Sequence, residues 1–118
     1  IHLGVYMRYN FLPDQTKYPI LKNILFANNT FIDTFGSIAS ISSAGNVIFA
    51  NNKFIAKTPR VNERYYRGAF YVKCASDVKI VNNTWYVSPL VKNPGAFVES
   101  GDVKNFVFEG NKIINEKR

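Results

Sequence analysis

Asn23-Ile24-Leu25-Phe26-Ala27-Asn28-Asn29-Thr30-Phe31 is the stretch on which the fold turns, because it returns three more times without gaps. The copies are Asn-Val-Ile-Phe-Ala-Asn-Asn-Lys-Phe at 46–54, Asp-Val-Lys-Ile-Val-Asn-Asn-Thr-Trp at 77–85 and Asn-Phe-Val-Phe-Glu-Gly-Asn-Lys-Ile at 105–113. The shared pattern is Asn/Asp-Φ-x-Φ-x-Asn/Gly-Asn-x-Φ, with Φ a large apolar residue. The second asparagines, Asn29, Asn52, Asn83 and Asn111, are 23, 31 and 28 residues apart, a spacing that suits one solenoid coil per repeat. The Φ-x-Φ alternation is a strand signal, since successive strand side chains point to opposite faces. Ile24/Phe26, Val47/Phe49, Val78/Ile80 and Phe106/Phe108 are therefore expected to point inward and stack in columns. Phe31, Phe54, Trp85 and Ile113 re-enter the core on the following short strand. The asparagine between the two strands sits at a corner, where Asn tolerates left-handed backbone and bonds locally. One such residue per coil makes a ladder of side-chain amides, a structural role.

A further strand precedes each repeat. In 4–8 and 69–73 the alternation runs in phase, with Val5, Met7, Phe70 and Val72 inward, and Cys74 lands inside as a small buried hydrophobe. Segments 37–42 and 96–100 take the same place in the other two coils, and counting back from Asn46 and Asn105 puts Ala39, Ile41 and Val98 inward. Each coil then reads strand, corner, strand, asparagine corner, short strand, variable loop. Helix is a poor rival, because the apolar spacing is two and Asn-Asn or Gly-Asn recurs where a helix would continue. A β-sandwich also has short strands and frequent turns, but Asn-Gly and Asp-Gly hairpin signals are missing and the repeat is head-to-tail.

With 118 residues, the chain is expected to form a single domain over 1–118, with loops at 11–20 and 56–67 protruding from the coils. It opens Ile1-His2-Leu3-Gly4 without an initiator Met or signal-peptide pattern, and is read as the C-terminal piece of a longer solenoid. Hydrophobic residues make up 47%, enough for a core, and no apolar run approaches the roughly 20 residues of a membrane span. Fifteen basic against eight acidic residues give +7, a charge suited to acidic polysaccharide, nucleic acid or anionic lipid. No nucleic-acid-binding motif accompanies it, so nucleic acid is not expected as a partner. One cysteine excludes an internal disulfide and a Cys-rich metal site, and the one histidine, His2, leaves no His-based triad or His metal site. No cofactor or metal is expected.

The four Asn-Φ-x-Φ-x-x-Asn-x-Φ segments resemble the right-handed parallel β-helix of the pectate-lyase-like (pectin-lyase-like) superfamily, over nearly the whole chain. Leu21-Lys22-Asn23-Ile24 and Val103-Lys104-Asn105-Phe106-Val107-Phe108 ahead of Gly110-Asn111-Lys112 look most like the last coils of its bacterial α-1,3-galactosidase-like and polygalacturonase-like glycoside hydrolases. The resemblance implies an all-β right-handed solenoid of about four coils. It also implies a polysaccharide or glycan partner, and a secreted, periplasmic or cell-surface location. The chain departs from the family's catalytic patterns. It carries no Asn-Thr-Asp strand, Asp-Asp pair, Gly-His-Gly loop or Arg-Ile-Lys strand, and no carboxylate cluster for calcium. Catalytic residues of such an enzyme are expected upstream of Ile1. A non-catalytic carbohydrate-binding, adhesin-like or tailspike-like module is the alternative.

Glycosidic hydrolysis generally needs two carboxyl groups at a fixed separation. Asp77 holds a strand-start position and Asp102 a Gly-Asp turn, which leaves Glu99, projecting outward beside Tyr71, as the weak catalytic or sugar-binding candidate. Tyr6 and Arg8 share a face phase with Tyr71 and Lys73, and in this architecture saccharide grooves run along that face. Rings pack on sugar C–H faces while charged groups bond hydroxyls or carboxylates. Arg64 and Tyr66, in the basic and aromatic 56–67 loop, complete the candidate substrate-binding set. Leu25, Ile48 and Val107 face outward in line, so the missing N-terminal segment or another subunit is expected to cover them.

Overall fold

The computed structural model describes residues 2–3, 21–33, 38–57, 69–91 and 95–116. The strands are β1 (His2–Leu3), β2 (Leu21–Ala27), β3 (Thr30–Ile32), β4 (Ala39–Ser42), β5 (Ala44–Ala50), β6 (Lys53–Ala56), β7 (Phe70–Val81), β8 (Thr84–Val87), β9 (Val98–Glu109) and β10 (Lys112–Asn115). Each repeat is two strands meeting at its Asn-Asn or Gly-Asn corner, so the alternation and the corner appear where the pattern puts them. Every pairing among the described residues is parallel, which excludes the sandwich of hairpins.

The register brings equivalent positions of successive repeats side by side. Ile24 lies against Val47, Val47 against Val78 and Val78 against Phe106, while Phe26, Phe49, Ile80 and Phe108 form the next row. Phe31, Phe54, Trp85 and Ile113 form a third. The pairings define three strips. The first holds β1, β4 and the leading halves of β7 and β9. The second holds β2, β5 and the trailing halves of β7 and β9. The third, a separate sheet, holds β3, β6, β8 and β10. The first two strips merge into one curled sheet because β7 and β9 run through the bend between them.

That bend has one construction throughout. Ser43 and Asn46, Cys74 and Asp77, and Asp102 and Asn105 have φ between 52° and 54°, always three residues apart. Asn, Asp and Ser make such left-handed positions tolerable by bonding locally. The constant spacing settles the register of the strands before the bend: Ala39 pairs with Phe70 and Phe70 with Val98. Ala39 and Ile41 are buried and Val98 is half-buried against the core, as counted back from the corners.

The core fills the space between the strips. Val47, Phe49, Phe70, Val72, Val78 and Ile80 are fully buried, as is Trp85 at 1% exposure. Phe26 stacks on Phe49 at 4.9 Å and Phe31 on Phe54 at 5.4 Å, while Phe70 meets both Phe49 and Phe54 edge-on. Phe97 also belongs to this core, stacked on Phe70 and edge-on to Trp85 and Phe108. Strict alternation around Val98 would turn Phe97 outward. It packs inward because it precedes the first residue of β9, where strand periodicity does not yet govern. The end coils are less covered: Phe26, Phe31, Phe106 and Phe108 are half-buried and Ile113 is 45% exposed. Val5, Met7, the loop 11–20 and the loop 56–67 beyond Lys57 lie outside the described residues.

Candidate functional site

The outer face of the first strip carries the candidate groups. Tyr71 pairs with Ser40 on one side and Glu99 on the other, and His2 pairs with Ser40 beyond. Lys73 lies two residues along, between Ser42 and Gly101. Tyr71 is half-buried, whereas Glu99 and Lys73 are exposed. A ring, a carboxylate and an ammonium are thereby gathered on adjacent parallel strands, which hold their spacing more rigidly than a loop would. Tyr6, Arg8, Arg64 and Tyr66 lie outside the described residues.

The remaining acids divide by what they bond. Asp33 Oδ1 accepts from the Lys57 N–H at 2.7 Å, and Asp77 Oδ1 accepts from the Asn105 carboxamide at 2.9 Å. Asp102 Oδ2 lies 3.8 Å from Cys74 Sγ and accepts its S–H. Burial first, then the Asp102 charge, raises the Cys74 thiol above its ordinary value, so it stays protonated and unreactive at neutral pH. All three aspartates therefore do structural work at bends and coil contacts, and Glu99 is the outward carboxylate of the first strip. Among the described residues no three His, Cys, Asp or Glu side chains gather as a metal site.

The asparagine ladder has a defined polarity. The backbone N–H and side-chain Nδ2 of Asn29 donate to Asn52 Oδ1, those of Asn52 to Asn83 Oδ1, and those of Asn83 to Asn111 Oδ1, at 2.9–3.3 Å. Each Nδ2 from Asn52 onward also donates to a carbonyl of the preceding coil, at Phe26, Phe49 and Ile80. The carboxamides of Asn52 and Asn83 are fully engaged in holding adjacent repeats together. The left-handed corner itself belongs to the residue before them: Asn28, Asn51, Asn82 and Gly110 have φ of 55–67°.

Three other outward rows run along the second and third strips. Leu25, Ile48, Lys79 and Val107 align on the second strip, so Lys79 interrupts the apolar row read from Leu25, Ile48 and Val107. Leu25 is 65% exposed. The third strip presents Ile32, Ile55, Tyr86 and Ile114 beside Thr30, Lys53, Thr84 and Lys112. The two rows of the third strip were missed in the sequence, although the residues flanking Phe31, Phe54, Trp85 and Ile113 carried the signal. No helix of the described residues is long and apolar enough to cross a membrane. Compared with protein-family models, with curated proteins and with solved structures, the chain matches none.

Proposed function

We propose that these coils are a stretch of right-handed parallel β-helix from a secreted carbohydrate-active protein, and that the outer face of the first strip binds polysaccharide or glycan. Parallel strands joined by crossovers are right-handed in about 98% of cases, which supports the hand. The observation that carries the binding role is Tyr71 beside Glu99, with Lys73 on the same face. The ring packs against sugar C–H groups, Glu99 accepts from hydroxyls, and Lys73 donates to hydroxyls or to uronate carboxylates. As part of a glycoside hydrolase, the strip extends the substrate groove, and the acid and base are supplied elsewhere in the enzyme. The engagement of Asp33, Asp77 and Asp102 in coil contacts favours a second reading, a non-catalytic binding or adhesin-like module that uses the same face.

Calorimetric titration of the chain with neutral and acidic oligosaccharides tests the face. Tyr71→Ala is expected to weaken binding about 2- to 10-fold, the worth of one aromatic contact, with the far-ultraviolet circular dichroism unchanged. Identical titrations for Tyr71→Ala and the native chain would remove the groove.

A further inference from the structure

The three strips differ in how their outward charges balance. On the first, Glu99 answers Lys73. On the second, Asp77 and Glu109 accompany Lys22, Lys79 and Lys104. The third carries Lys53 and Lys112, and none of its four strands contains Asp or Glu. Lys57 and Glu116, the residues that follow β6 and β10, offset one another and leave that positive excess in place.

The excess is ordered. Thr30, Lys53, Thr84 and Lys112 fall in one outward row, so hydroxyl and ammonium alternate from strand to strand. Two strand steps, about 10 Å, separate the two lysine positions. None of these four side chains is held by a hydrogen bond among the described residues. Farther along the same face, Tyr86 stands between Ile55 and Ile114. Lys53, Ile55, Thr84 and Tyr86 belong to the two interior strands, β6 and β8, and owe their outward placement to the sheet rather than to its edges. The backbone of those strands is paired on both sides, so this face offers a ligand side chains alone.

We infer that the outer face of the third strip is a second binding surface, for an acidic polysaccharide laid across the strands. Carboxylate or sulfate groups sit on Lys53 and Lys112, and a hydroxyl bonds Thr84 between them. Sugar C–H faces pack on Tyr86 and its flanking isoleucines. An extended pyranose chain advances by about one strand spacing per ring, so consecutive sugars meet consecutive strands. Single-stranded nucleic acid fits less well, because its bases need a run of stacking platforms and Tyr86 is the one ring in these two rows. An added peptide strand docks on a sheet edge, not on a face. The class of ligand rests on the carbohydrate reading above, whereas the place and the preference for acid rest on the third strip alone.

Backbone amide shifts of the isotope-labelled full chain, titrated with oligogalacturonate, a sulfated oligosaccharide and a neutral oligosaccharide of equal length, read the outcome. At least one acidic ligand is expected to shift Lys53, Thr84, Tyr86 and Lys112, and the neutral one much less. Lys53→Gln combined with Lys112→Gln removes two exposed charge contacts and is expected to weaken acidic binding about 3- to 10-fold, with unchanged circular dichroism. Added salt is expected to weaken binding to the native chain in the same direction. Shifts confined to Tyr71, Lys73 and Glu99 would overturn the proposal and leave the first-strip groove standing, whereas shifts confined to the third strip would support it and remove that groove. Undiminished acidic binding by the double variant would also overturn it. So would equally tight binding of single-stranded DNA or of anionic phospholipid vesicles at the third strip.

Discussion

Asn83 is fully buried, and its N–H and carboxamide take part in five hydrogen bonds to neighbouring repeats. Its Oδ1 takes two donors from Asn52, its Nδ2 donates to the Phe49 carbonyl and to Asn111 Oδ1, and its N–H reaches the same Asn111 oxygen. Asn83→Ala strands the Asn52 donors and the Phe49 carbonyl in the interior. At about 1–3 kcal/mol for each unsatisfied buried group, it is expected to cost about 3–5 kcal/mol in urea unfolding. Asn111→Ala, at the half-covered end, is expected to cost visibly less. The outer row offers the opposite change. Asp77 follows Asn46 in that row, and its carboxylate has no N–H with which to continue it as Asn46 and Asn105 do. Asp77→Asn supplies an amide N–H for Asn46 Oδ1 while keeping an oxygen for Asn105, and the same measurement is expected to show a gain of about 1 kcal/mol. The recurring Asn-Asn was legible because both of its residues repeat. What the pattern could not divide was the labour between them: the first takes the left-handed corner and the second makes the ladder. Gly110 shows the division. Glycine replaces the first residue, where φ is 67° and a Cβ would collide with the Asn82 carboxamide oxygen, and never the second, where a side chain is required.

At the scale of the strand, β7 and β9 stay continuous through a bend that carries two left-handed residues. Cys74 occupies the position that Ser43 and Asp102 hold in neighbouring coils, at φ 52°. A β-branched side chain there adds about 1–2 kcal/mol of backbone strain, so Cys74→Val is expected to lower the thermal midpoint clearly. Cys74→Ser, which copies the Ser43 solution, is expected to lower it less. The thiol gives the bend a signature in pH. Its folded value lies above the ordinary 9.0, through burial first and then Asp102, so the folded state holds the proton more tightly than the unfolded chain. The resulting stability is intact below about pH 9 and is lost as pH rises through the folded value. Cys74→Ser is expected to remove that part of the slope. The bend was only half legible. Asp77 and the three equivalent asparagines marked one residue of each pair, but Ser43, Cys74 and Asp102 share no residue type, and only the register reveals them as one position. Phe97 escaped for a related reason, since alternation counts residues within a strand and Phe97 stands just outside one.

At the largest scale, three strips of parallel strands among the described residues, two of them one curled sheet, pack around a column of aromatic and aliphatic side chains, and their outward rows face away from it. The fold was readable because coil formation depends on a few positions repeated in register. The site was less so. Tyr71 and Glu99 were placed side by side by counting, yet which row lies next to which outside the core depends on loop lengths that vary from coil to coil. Lys79 between Ile48 and Val107, and the Ile32–Ile55–Tyr86–Ile114 row, are a different case: the gapless repeat already aligns them, and attention to the inward positions passed them over. The central claim is the stacking of equivalent asparagines in parallel register. Nuclear Overhauser contacts among the side-chain amides of a uniformly labelled sample test it most directly. A chain of contacts is expected from Asn29 to Asn52, Asn52 to Asn83 and Asn83 to Asn111, with parallel cross-strand contacts such as Phe49 to Ile80. Amides without such contacts, or cross-strand contacts of antiparallel type, would contradict it.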